Sequence, residues 1–174
     1  MDFYLRKGVG FFVGFSQNLS WELKSEWRRI PRIHHMLPTD GSSSSKKSLR
    51  ILYADDMREL RDLAHIALTR EGHSIECVAD GQKALERIAA DPRAHDLLIT
   101  DHHMPVLNGL ELVTEVRNLA FPGKILIFSS EIGKAIRDAY DDLKVDRILF
   151  KPIFPSELQR TLADLFEPVA ICEP

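Results

Sequence analysis

Cysteine is scarce in this 174-residue chain. Cys77 and Cys172 are the only two, too few for a disulfide framework and too far apart for a metal knuckle. The plain expectation is a reducing, intracellular setting, hence a cytoplasmic protein. Long apolar runs are also missing, since none approaches the ~20 residues that span a bilayer. Gly8–Phe15 follows Arg6 and Lys7 with something of a signal peptide's polarity. It is short and glycine-rich, and Ser16-Gln17-Asn18 replaces a small-x-small cleavage site, so export is not expected. Net charge is small: 23 basic against 26 acidic residues leave −3. That balance exerts no strong pull on nucleic acid or an anionic membrane, and neither is expected as a direct partner.

The average conceals a split. Residues 1–48 hold 8 basic and 4 acidic side chains, net +4, whereas 49–174 hold 15 and 22, net −7. Half of the 14 aromatics, both Trp included, lie in the first 48 residues. Thr39 to Lys47 reads TDGSSSSKK, a run that cannot bury apolar surface and so predicts a flexible linker. The expected organisation is an extension at 1–38, a linker at 39–48, one folded domain at 49–168 and a short tail at 169–174. Three readings of the extension stay open. It is a tail without fixed structure, or an interfacial anchor built on Trp and Phe beside Arg and Lys, or a segment upstream of a true start at Met36.

Beyond the linker the pattern is regular. Leu49–Ala54, Ser74–Ala79, Leu97–Thr100, Lys124–Phe128 and Arg147–Phe150 are short apolar runs of strand length. Between and after them come helical patterns. Met57 to Leu68 is closed by Gly72, and Asp80 caps a helix carrying Ala84, Leu85 and Ile88. Gly109–Leu119 and Ile132–Leu143 follow, and Pro155 starts the last helix. Five strands alternating with five helices predict an α/β fold, a doubly wound parallel sheet covered on both faces.

In such a sheet, functional groups gather at the C-terminal strand ends. Asp55 and Asp56 end the first strand, Asp101 the third, Ser129 the fourth and Lys151 the fifth. Three carboxylates brought together repel one another unless a cation or protons offset them. A hard divalent cation with oxygen ligands, Mg²⁺, suits them. With an ammonium and a hydroxyl alongside, the set suits phosphoryl transfer, and Asp is itself a covalent phosphoryl acceptor.

These residues resemble the receiver domain of two-component response regulators, over about Leu49 to Phe166. The resemblance implies a flavodoxin-like strand order, 2-1-3-4-5. It implies that Asp55 and Asp56 are the acidic pair holding Mg²⁺, that Asp101 is phosphorylated, and that the His103 backbone carbonyl is a further metal ligand. Ser129 matches the hydroxyl that bonds the phosphoryl group, and Lys151-Pro152 the lysine and its proline. Met104-Pro105 and Asn108-Gly109 fit the loop after the acceptor, and Asp80-Gly81 with Ala84-Leu85 the start of the second helix.

The implied donor is a sensor histidine kinase or a histidine phosphotransfer protein. The implied output is a two-state switch of the face built from the fourth helix, fifth strand and fifth helix, read by a downstream protein. The chain would be a phosphoryl acceptor able to dephosphorylate itself, not a turnover enzyme on external substrates. It would be a monomer or a phosphorylation-dependent dimer. Because it ends eight residues after Phe166, the expectation is a stand-alone receiver, similar to chemotaxis regulators, with a fragment of a hybrid kinase as the alternative.

Two departures stand out. Ile148 occupies the position where the family often has an aromatic switch residue. His103 and Glu131 occupy positions that tune phosphoryl lifetime. The same residues admit two rival readings. A receiver-like docking module would never be phosphorylated. A metal-dependent phosphoesterase would use the literal Asp101-His102-His103 motif, but Asp55 and Asp56 are adjacent rather than spaced by one. His102 and His103 are otherwise expected to be solvated loop residues at the rim of the acidic site. His34-His35 lacks partners at zinc-ligand spacing.

Overall fold

A computed structural model describes residues 47–130 and 132–166. The readings made for the extension, for most of the linker, for Glu131 and for 167–174, Cys172 included, lie outside the described residues.

The strands are β1 (Arg50–Ala54), β2 (Ser74–Val78), β3 (Leu97–Asp101), β4 (Lys124–Ser129) and β5 (Arg147–Phe150). The helices are α1 (Arg58–Arg70), α2 (Gly81–Ala90), α3 (Gly109–Asn118), α4 (Lys134–Asp142) and α5 (Pro155–Phe166). Every neighbouring pair is parallel and the order is β2-β1-β3-β4-β5. The expected order and helix number are therefore observed among the described residues. The chain leaves β1 toward β2 and returns across it to β3. The reversal opens a crevice between the ends of β1 and β3.

Period-two alternation divides the core. Leu52, Ala54, Leu98, Ile125 and Ile127 face α2, α3 and α4, where they meet Ala84, Ile88, Leu112, Val113, Val116 and Tyr140. Ile51, Tyr53, Leu97, Ile99, Leu126 and Phe128 face α1 and α5, where they meet Ala64, Leu68, Leu158 and Leu162. Because both faces are covered, β1, β3 and β4 are apolar at nearly every position rather than at alternate ones.

Local chemistry sets the helix starts that frame the crevice. The Asp80 carboxylate accepts from Lys83 N at 2.8 Å, capping α2. Asn108 caps α3 in a capping box, accepting from Glu111 N at 3.0 Å while Glu111 Oε2 accepts from Asn108 N at 3.0 Å. Gly109, the first residue of α3, passes close to β3. A Cβ there would lie 2.5 Å from the Asp101 carbonyl oxygen. Helix α4 is different: its N-cap, Gly133, makes no side-chain cap, and Tyr140 is its buried residue.

Candidate phosphoryl-acceptor site

Strand β1 ends by delivering Asp55 into the crevice with none of its surface exposed. Its Oδ1 accepts from Met57 N at 2.9 Å, and its Oδ2 from the Tyr53 hydroxyl at 3.2 Å. Arg61, one turn into α1, holds the turn from outside. Its Nη1 donates to the carbonyls of Asp55 at 2.7 Å and Asp56 at 2.9 Å. Asp56 is exposed. Asp101, at the end of β3, is 6% exposed. Asp55, Asp56 and Asp101 each present an atom within 4.8 Å of the others.

One cation of the chain's own stands among them. Lys151, directly after β5, places Nζ 2.9 Å from Asp55 Oδ2 and 2.9 Å from Asp101 Oδ2. Its backbone N–H donates to the Ser129 carbonyl at 2.7 Å, which sets the end of β4 beside it. Ser129 is fully buried. Burial pushes the Asp55 carboxyl above its ordinary value, and the Lys151 ammonium only partly counters this. Burial also acts to lower Lys151, but the Asp55 and Asp101 charges outweigh it and Lys151 is raised, so it stays protonated. The Tyr53 hydroxyl is pushed well up by burial and by Asp55.

The structure thus gathers Asp55, Asp56, Asp101, Lys151 and Ser129 at one edge. The donor atoms of the acidic trio are carboxylate oxygens, and they fit Mg²⁺ in number and hardness. His103 is exposed on the loop two residues past Asp101.

One expectation is corrected. His102 is not a solvated rim residue. It is 9% exposed, and its ring Nδ1 shares a 2.7 Å hydrogen bond with the Tyr140 hydroxyl. Burial lowers its pKa from the ordinary histidine value. The reason is tertiary: α4 packs over the β3–α3 loop and brings in a hydroxyl from 38 residues away. Sequence reasoning also passed over Tyr53 and Arg61. For Tyr53 a signal existed, because residues two apart on a strand share a face. For Tyr140 there was none.

Ile148 is half-buried against the core on the α4 side, so no aromatic ring stands at that place in β5. The exposed aromatic of β5 is Phe150, 42% accessible, with the Arg137 guanidinium 5.4 Å from its ring centre.

Comparison with known proteins agrees with the fold. The family described as response regulator receiver domain matches residues 51–163. The chain belongs to that family, the receivers of two-component systems. Response regulator MprA of Mycobacterium tuberculosis is 36% identical over 111 residues, 64% of this chain and 47% of that protein. Sensory/regulatory protein RpfC of Xanthomonas campestris is 29% identical over 123 residues, 68% of this chain and 17% of that one. The chain therefore spans half or less of the length of these curated relatives. Among solved structures, chemotaxis protein CheY4 of Vibrio cholerae superposes with a TM-score of 0.63 at 28% identity, covering 68% of this chain and 98% of that one. No described helix is long and apolar enough to cross a membrane.

Proposed function

We propose that this chain is a phospho-accepting response regulator in which Asp101 takes a phosphoryl group from a phosphohistidine. The donor is a sensor histidine kinase or a histidine phosphotransfer protein. An Asp101 carboxylate oxygen attacks phosphorus, the P–N bond breaks, and the imidazole of the donor leaves. The observation that carries this is the buried acceptor clustered with Asp55 and Asp56, with Lys151 2.9 Å from both Asp55 and Asp101.

Asp55, Asp56, Asp101 and the His103 carbonyl would hold Mg²⁺, which when bound neutralises the carboxylates and the phosphoryl oxygens. Lys151 supplies a fixed ammonium to the charge that develops on the phosphoryl group. Ser129 supplies a hydroxyl donor to the same oxygens. The phosphoryl dianion competes with Asp55 for Lys151, so modification redistributes the ion pairs that join β1, β3 and β5.

Output runs through α4, β5 and α5 to a downstream protein. Phe150 and Arg137 on that face, one apolar and one cationic, suit a protein surface more than a nucleic-acid backbone. The receiver body is the 49–168 domain, with 1–48 and 169–174 outside the chemistry. The protein acts in the cytoplasm and can hydrolyse its own aspartyl phosphate. The phosphoesterase reading gains nothing from the structure, since the His102 Nδ1 is engaged with Tyr140.

Incubation with acetyl phosphate and Mg²⁺, followed by mass spectrometry, tests the proposal. One phosphoryl group is expected on wild type, on Asp101, and none on Asp101→Asn. A folded wild type that gains no mass would favour the phosphorylation-independent docking module.

A further inference from the structure

His102 sits between two residues to which a metal role is assigned, Asp101 and His103, and it is held from three sides. Its N–H donates to the Phe128 carbonyl of β4 at 2.9 Å. Its carbonyl accepts from Gly109 N at the start of α3, also at 2.9 Å. Its ring bonds the Tyr140 hydroxyl of α4 at 2.7 Å. The His102 ring also meets the His103 ring edge-on at 4.5 Å and the Tyr140 ring at 5.7 Å. Three rings therefore run from the exposed rim of the acidic site into the interior.

The inner end of that run is the anchor of α4. Tyr140 is fully buried and is the buried residue of this helix. A buried tyrosine hydroxyl needs a polar partner, and among the described residues His102 supplies it. The room for this contact comes from Gly109, where a Cβ would stand 2.9 Å from the Tyr140 hydroxyl.

We infer that the His102–Tyr140 hydrogen bond is a positioning device, which ties α4 to the backbone at 101–103 and holds that backbone in the arrangement the metal and the acceptor require. The inference rests on the function proposed above. Neither side chain touches the phosphoryl group. They act through the peptide units of His102, which carry Asp101 on one side and the His103 carbonyl on the other. Partners that orient metal ligands in this way contribute to metal affinity without being ligands. With Ile148 in β5, this bond gives α4 a polar connection to the acceptor that does not pass through β5.

The test uses Tyr140→Phe, which keeps the ring and removes only the hydroxyl. Mg²⁺ affinity is read by titration calorimetry, and phosphoryl uptake from acetyl phosphate by mass spectrometry at sub-saturating Mg²⁺. Mg²⁺ binding is expected to weaken about ten-fold, the lower end for an outer-shell partner, with uptake slowed in step. His102→Asn, whose amide oxygen can accept the Tyr140 proton, is expected to stay within about two-fold of wild type. A merely structural bond would lower the melting temperature of Tyr140→Phe and leave its Mg²⁺ affinity within about two-fold, which overturns the inference. Equal weakening in His102→Asn and Tyr140→Phe overturns it as well, because the retained bond would then have made no difference. A wild type that binds no Mg²⁺ refutes the proposed function together with the inference. The two failures are therefore distinguishable.

Discussion

Replacing Lys151 by methionine probes the charge balance of the site most directly. The side chain keeps its length and loses its charge. In the wild type one ammonium lies 2.9 Å from a carboxylate oxygen of Asp55 and 2.9 Å from one of Asp101. At an effective dielectric constant of ~20, each contact is worth about 6 kcal/mol of gross Coulomb attraction. Most of that is offset by desolvating the three groups. Removing one partner of a buried pair still costs about 3–5 kcal/mol, because the other is left uncompensated. Asp101 retains some access to water, so about 3 kcal/mol is expected. For a domain of this size that lowers the melting temperature by roughly 10–15 °C.

The loss has a definite pH dependence. Without Lys151, Asp55 loses the main influence that lowers its already raised pKa. A carboxyl whose folded pKa exceeds its unfolded value of about 3.9 destabilises the fold at pH above the folded value. The penalty shrinks as pH falls and Asp55 takes up a proton. Calorimetric melting of Lys151→Met and wild type, in Mg²⁺-free buffer between neutral and mildly acidic pH, measures this directly. The gap should be widest at neutral pH, narrow on acidification, and narrow again when Mg²⁺ is added at neutral pH. A variant as stable as wild type at neutral pH without Mg²⁺ would refute the reasoning, since the acidic trio would then not depend on Lys151.

Other perturbations address separate links. Gly109→Ala places a methyl 2.5 Å from the Asp101 carbonyl and 2.9 Å from the Tyr140 hydroxyl, so backbone must move. A loss of about 1–3 kcal/mol in urea unfolding is expected, with Mg²⁺ affinity reduced in parallel. Asn108→Ala removes the side-chain half of the α3 capping box, the oxygen that accepts from Leu110 N and Glu111 N, and should cost about 1 kcal/mol in the same assay. Asp96 accepts from Arg50 N at 2.9 Å and from its guanidinium at 2.9 and 3.2 Å, and the Arg50 bond holds its carboxyl below the usual range. Its contribution is present above the unfolded carboxyl pKa of about 3.9 and is lost as pH falls through the lower folded value. Acid unfolding of Asp96→Asn should therefore show less pH dependence below about pH 4 than wild type. Tyr53→Phe removes a donor from Asp55 Oδ2 and should cost about 1 kcal/mol.

Much of this was legible along the chain because it depends on neighbours in sequence. Strand-length apolar runs at Leu49–Ala54, Leu97–Thr100 and Lys124–Phe128, set between helical patterns, read as strands covered on both faces. Asp80 and Asn108 cap helices through backbone groups two or three residues away. The acidic residues and Lys151 stand where strands end, and parallel strands put those ends on one edge whatever the packing above them. The alternation of strands and helices therefore implied the parallel sheet and placed Asp55, Asp56, Asp101, Ser129 and Lys151 on one edge, while the strand order and its switch point were implied by the family resemblance. What the packing alone decided is which side chains leave water. Asp55 became fully buried while Asp56 beside it stayed exposed. Lys151 came to bridge two carboxylates from residues 96 and 50 positions earlier. His102 turned from the loop into a hydrogen bond with Tyr140. These contacts join elements that share no periodicity or local signal. They exist because α4 and the β5–α5 segment close over the strand ends, and a buried polar atom takes the partner that closure places within reach.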